Sequence, residues 1–151
     1  MADTENILIS VERKYVASML LGSKTVELRR RPFRVPVGTR VWIYGKSPYA
    51  SVAAVATVGT IVSAPPDELW AQYGCRAAVT KAEFDLYFSD AIVAWAICLE
   101  DICALTTAVT LSALRRHSAP FHPPQFFKRL HHGSHALNLL RNGLHPAKYG
   151  T

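Results

Sequence analysis

Three charged side chains, Lys24, Glu27 and Arg29, follow one another at short spacing in the stretch Gly22-Ser23-Lys24-Thr25-Val26-Glu27-Leu28-Arg29-Arg30-Arg31-Pro32-Phe33-Arg34. That stretch holds five of the chain's 17 lysines and arginines around one acid. A guanidinium offers forked donors to a phosphate or a base edge, and an ammonium supplies a point charge. A carboxylate between them can accept from a base amino group or hold the two cations in place. If the group turns a substrate over, Lys24 or Glu27 has to act as general base, its pKa tuned by burial beside the other charges. The competing reading is an exposed ion-pair cluster on an edge strand, where charge also deters edge-to-edge association. No serine or threonine stands out beside a base partner, and no glycine-rich phosphate loop is present. The expectation is the rim of a binding cleft.

The elements around the trio must set its direction. Ile7-Leu8-Ile9-Ser10-Val11 reads as a buried first strand. From Glu12 to Leu21 the apolar residues Tyr15, Val16, Met19 and Leu20 recur at helical spacing, and Gly22 stands where a helix end favours a residue tolerant of positive φ. The next segment alternates like a strand, with Val26 and Leu28 facing one way and Thr25, Glu27 and Arg29 the other. Arg40–Tyr44 predicts a further strand, and Ser51–Val62 a long one bent at Gly59. Pro65-Pro66-Asp67-Glu68 opens a helix, Thr80-Lys81-Ala82-Glu83 is a capping box for a helix over Lys81–Phe88, and Ala91–Leu99 is expected to be a buried strand closing the sheet. Beyond Glu100-Asp101 the pattern predicts a helical turn over Thr110–Arg116, a short helix led by Pro120–Pro124, and a last helix over Ser134–Arg141. Strands at this spacing with short helices between them indicate an α+β chain built on a small mixed β-barrel. One domain is expected over residues 1–151, with the barrel at about 5–104 and a C-terminal helical extension at about 105–151.

Other residues could extend the site. Arg30, Arg31, Arg34 and Arg40 form either a solvated basic face or a phosphate track. Aromatics beside arginines are what single-stranded RNA recognition uses for stacking. Phe33, Trp42, Tyr44 and Tyr49 flank the region. Trp42 fits the core better, while Tyr44, ending its strand beside a turn, is the preferred stacking residue. Ser10 either donates to a ligand or caps the following helix. His131 and His135 give an i, i+4 pair, but no cysteine or acid joins them at a ligand spacing, so neither a metal nor another cofactor is expected.

Composition sets the outer bounds. Half of the 151 residues are hydrophobic and 19% are charged, which excludes a disordered chain. A net charge of +6 favours a phosphate-bearing or otherwise anionic partner. No apolar run reaches the length of a membrane span, residues 1–10 lack the pattern of a signal peptide, and no membrane partner is expected. Cys75, Cys98 and Cys103 show no metal-like spacing; buried thiols in a reducing cytoplasm are the expectation.

The order Ile7–Val11, Gly22–Arg29, Val41–Tyr44, Glu68-Leu69-Trp70 and Phe84…Tyr87-Phe88 resembles the ASCH-domain family, small members of the PUA-like superfamily. The family's glycine, lysine, glutamate and arginine motif corresponds here to Gly22, Lys24, Glu27 and Arg29. The resemblance runs over about residues 7–100, and Pro124-Gln125 resembles a tail found in one subgroup. It implies a barrel of five to six strands with flanking short helices and a cleft lined by the lysine, glutamate and arginine. Members are inferred to bind RNA or to regulate transcription or translation. Some relatives are amidohydrolases on an acetylated cytidine, and some are ribonucleases. The amidohydrolase lysine carries over to Lys24, but Glu27 stands where those enzymes use a nucleophilic threonine, and adjacent Thr25 faces the other way. The function implied is therefore a binder of RNA or a nucleotide-like ligand through Ser10, Lys24, Glu27, Arg29, Arg30, Arg31 and Tyr44. The alternatives are a small hydrolase on a modified nucleoside or on RNA, with Lys24 and Glu27 as catalytic groups, and a protein-interaction module.

Overall fold

The computed structural model describes residues 4–118 and 120–144; Met1–Asp3, Ala119 and the expected tail beyond Leu144, with His145, lie outside the described residues. Six strands form one sheet: β1 (Asn6–Val11), β2 (Val26–Arg29), β3 (Arg40–Gly45), β4 (Ser51–Ala64), β5 (Ala94–Thr110) and β6 (Lys128–Arg129). Their order is β2-β5-β4-β3-β1-β6. The β1–β3 pairing is parallel and the others are antiparallel. Helices α1 (Arg13–Leu21), α2 (Pro66–Tyr73), α3 (Lys81–Tyr87), α4 (Leu111–His117) and α5 (His135–Leu144) pack around it. None of these helices is long and apolar enough to cross a membrane.

Both faces of β1 and β3 are covered, which is why they read as nearly continuous apolar runs. Ile7, Ile9, Val11, Val41, Ile43, Ala54, Ala56, Val58, Ile97 and Leu99 form one core layer, joined by Val16 and Met19 of α1 and by Phe33. The alternate residues Leu8, Trp42, Tyr44, Val52 and Val55 face α4 and α5. Leu114, Leu137 and Leu140 are wholly buried there, each side chain contributing about 2 kcal/mol. Val26 and Leu28 join Ala94, Ala96 and Cys98 beneath Leu69 and Phe84 of α2 and α3.

The expected barrel does not close through hydrogen bonds. β2 and β6 are the two edges of the sheet. β5 is longer than its apolar run implies and lies between β2 and β4, so it is central instead of closing. Glu100-Asp101 does not end it. Asp101 adopts φ 51°, a local irregularity that turns the strand while pairing with β4 resumes beyond it. The bend expected at Gly59 falls within a register shift, and a Cβ there would lie 2.6 Å from a Glu100 carboxylate oxygen. The proline-led segment also departs from expectation. It starts no helix; its residues form irregular backbone, bent at Gln125-Phe126, that leads into β6, which pairs with β1. Prolines lock φ and remove donors, and their neighbours favour extended backbone.

Local capping follows the sequence closely. Thr80 and Glu83 complete both halves of the capping box, and the Thr110 hydroxyl accepts from the Ala113 amide. Gly22 ends α1 in the left-handed region at φ 87°, its amide donating to the Met19 carbonyl. A Cβ there would meet nothing within 4 Å, so its cost is conformational alone. Gly22→Ala is expected to lower stability by about 1–2 kcal/mol, read as a drop of several degrees in thermal melting. The cysteines divide: Cys98 is buried, whereas Cys75 and Cys103 are exposed because their segments lie on the surface.

Candidate functional site: a buried charge chain under a cavity

The turn after α1 directs Lys24 inward. The Lys24 amide donates to the Ser18 carbonyl and the Thr25 amide to the Arg76 carbonyl, pinning the main chain on both sides of the side chain. Lys24 is therefore only 1% exposed, and Glu27 6%. The exposed edge-strand reading fails, since β2's charged face looks along the inner core layer beside Ile97. The Lys24 ammonium donates to the Ala77 carbonyl at 2.6 Å, lies 3.7 Å from Glu27 Oε1, and sits 4.6 Å from the centre of the Tyr15 ring. Burial pushes its pKa below the ordinary lysine value, partly offset by Glu27. With all three groups ionised, the chain Lys24–Glu27–Arg29 carries one net positive charge.

Arg29 has a different task from the one expected. Its Nη2 donates to Glu27 Oε2 at 2.9 Å and to the Ser10 carbonyl at 3.3 Å, while Nη1 donates to the Phe126 carbonyl at 3.4 Å. The guanidinium lies over the Phe33 ring, 5.3 Å from its centre. One side chain from edge strand β2 thus spans the seam to β1 and to the segment entering β6, where no ladder closes the sheet. Lysine has one compact donor group and cannot reach all three acceptors. Arg29→Lys is expected to cost about 1–3 kcal/mol, measured as a lower urea midpoint.

Above this chain lies a cavity of about 300 Å³, whose lining includes Ser10, Tyr15, Lys24, Glu27, Arg29, Lys46, Tyr87 and Gln125. Glu12, Lys46 and Glu83 also line it, in two exposed ion pairs: Lys46 with Glu12 at 3.4 Å, and Glu83 with Lys14 at 3.0 Å. Burial holds the Tyr87 phenol above its ordinary pKa, so it stays a neutral donor at pH 7. Ser10 is buried and lines the cavity, and its hydroxyl has no hydrogen-bond partner. It does not cap α1, whose N-cap is Glu12. Strand alternation turns the Ser10 side chain the way of Leu8 and of its paired residue Tyr44, so it is the carbonyl that meets Arg29.

The remaining sequence-predicted residues separate. Tyr44 is not a stacking platform: it is 4% exposed and packed among Val52, Leu114 and their neighbours, because β3 is covered on both faces. Trp42 is fully buried and donates to Asn6 Oδ1 at 2.9 Å. Phe33 is core as well. Arg30 pairs with Asp90 at 2.6 Å, and Arg40 sits near Trp42, away from the cavity. Arg31 lies at an adjoining hollow with Arg29, Tyr87 and Gln125. His131 precedes α5 instead of sharing a helix with His135, so their i, i+4 spacing forms no common face. Tyr15 and Tyr87 escaped the sequence reading because helical periodicity assigns them to packing. Gln125 was marked only by the Pro124-Gln125 resemblance.

No family profile matches the chain. It is 32% identical over 123 residues to an ASCH domain-containing ribonuclease of Zymomonas mobilis, covering 82% of each chain. The crystal structure of ASCH from Zymomonas mobilis superposes with a TM-score of 0.86 at 29% identity, covering 93% of this chain and 96% of that one. The human THYN1 protein, solved in complex with DNA containing 5-methylcytosine, shares the fold at a TM-score of 0.53 and 8% identity, covering 93% and 98%. On the strength of the Zymomonas relative and of the shared architecture, the chain belongs to the ASCH domain family.

Proposed function

We propose that this protein binds RNA, taking one nucleotide unit into the cavity above Lys24, Glu27 and Arg29. The observation that carries the reading is the buried charge chain with one net positive charge at the floor of a cavity of about 300 Å³. A cation held in a low-dielectric floor attracts a phosphate more strongly than one in water. Lys24 supplies the charge, Glu27 holds it and accepts from a base amino group, and Tyr87 and Gln125 offer polar contacts at the wall. Arg29 positions the floor by tying β2 to Ser10 and Phe126. The test is fluorescence anisotropy with a short single-stranded RNA across a salt series, comparing the protein with Lys24→Met. Salt-dependent binding that weakens in the variant supports the reading; equal affinity in both overturns it.

A second reading, RNA cleavage, is favoured by the name of the Zymomonas relative, an ASCH domain-containing ribonuclease. Burial lowers the pKa of Lys24, the direction a general base needs. Turnover of labelled RNA that Lys24→Met removes would support cleavage; persistent turnover in the variant would exclude Lys24 as the base.

A further inference from the structure

We infer that the ligand continues out of the cavity as a single strand, along a track of arginines and phenylalanines completed by the segment that enters β6. The inference rests on the proposed nucleotide cavity and extends it, since it separates a polynucleotide ligand from a free nucleotide. The cavity shares Arg29, Tyr87 and Gln125 with a second hollow of about 270 Å³ that adds Arg30, Arg31 and Phe126. That hollow in turn shares Arg31 and Phe126 with a third, of about 410 Å³, floored by Phe126 and Phe127 and rimmed by Arg34 and Arg129. The three hollows therefore form one continuous path.

Its chemistry matches a sugar–phosphate chain with unstacked bases. The second and third hollows are lined by five arginines and no carboxylate; two of the five are paired, Arg29 with Glu27 and Arg30 with Asp90. Arg31 and Arg34 are exposed and have no ion-pair partner among the described residues, so their charge is available. Arg129 is fixed by donating to the Arg34 carbonyl at 2.9 Å, with its guanidinium 5.2 Å from the centre of the Phe127 ring. Phe126 and Phe127 are half-buried and braced against Phe33, with ring centres 5.6 and 5.3 Å from it. A rigid apolar floor edged by cations is the arrangement that accepts a base face while holding the flanking phosphate. A rigid duplex presents its bases stacked and cannot lay one on that floor. The sequence hinted at half of this, through Arg31 and Arg34; only the β1–β6 pairing brings Phe126, Phe127 and Arg129 beside them.

The test uses the full chain with oligouridylates of one to six nucleotides, and with Arg31→Gln combined with Arg34→Gln. Both residues are exposed, and an unchanged melting temperature confirms that the variant folds. The tetranucleotide is expected to bind at least about tenfold more tightly than the mononucleotide. The double variant should lose that gain while keeping the mononucleotide affinity, with the salt dependence of tetranucleotide binding reduced by about 1.4 in the log–log slope for two lost phosphate contacts. No gain with length, or a gain that survives in the double variant, overturns the track while leaving the cavity reading intact. Equal affinity for a duplex of the same length, or for inorganic polyphosphate of equal charge, also overturns it. A length gain that Arg31 and Arg34 control but Lys24→Met leaves untouched sustains the track and removes the cavity reading.

Discussion

Glu27→Ala is expected to destabilise the fold by about 3–5 kcal/mol, the range for breaking a buried ion pair by removing one partner. Among the described residues the carboxylate is the sole acid paired with Lys24 and Arg29, whose side chains are 2% and 11% exposed. Its loss leaves two cations facing each other across a low-dielectric floor. Against a typical total stability of about 5–15 kcal/mol, the loss is large. Urea denaturation should show a lower midpoint with little change in slope. Combining Glu27→Ala with Lys24→Met should recover part of it, because the uncompensated ammonium is then gone as well. A midpoint unchanged by Glu27→Ala would mean that the carboxylate does not balance these cations.

Lys24→Met is expected to weaken RNA binding by about tenfold or more, the weight of one charge-assisted contact, and to change how stability depends on pH. Burial lowers the folded-state pKa of Lys24 below the ordinary 10.5. Between the lowered value and 10.5 the unfolded chain binds a proton at this residue that the folded chain does not, so stability contributed here rises with pH across that window. Below the lowered value both states are charged and the full cost of burying the ammonium is present. Methionine has similar length and no charge, so it removes the slope without opening a large void. Chemical denaturation at several alkaline pH values should show the protein gaining stability relative to Lys24→Met as pH rises. Parallel curves for the two proteins would mean that Lys24 is not desolvated in the folded state.

Much of the architecture was legible in the residues. Periodicity located α1, prolines and acids located α2, and capping residues located α3 and α4; the caps at Gly22, Thr80 and Thr110 are local hydrogen-bonding choices made within a few residues. The alternation in Val26–Arg29 correctly separated its apolar from its charged face. The failures are of another kind. Tyr44 shares a face of β3 with Trp42, which the sequence already assigned to the core, and nothing in the alternation with Val41 and Ile43 tells that the face is covered as far as Tyr44. The proline-led segment offered helix-start chemistry, while the unpaired edge of β1 claimed it as a strand.

The sequence by itself placed Lys24, Glu27 and Arg29 side by side, because a glycine-capped helix leads straight into a short strand whose alternation gives Glu27 and Arg29 one face. Their burial, and the division of labour among them, came only with tertiary structure. The Ala77 carbonyl that meets Lys24 lies 53 residues away, and the Phe126 carbonyl that meets Arg29 lies 97 away. Local pattern reports which side of a strand a residue faces. It cannot report what the rest of the chain brings to that side, and the dielectric around a charge depends on those distant neighbours.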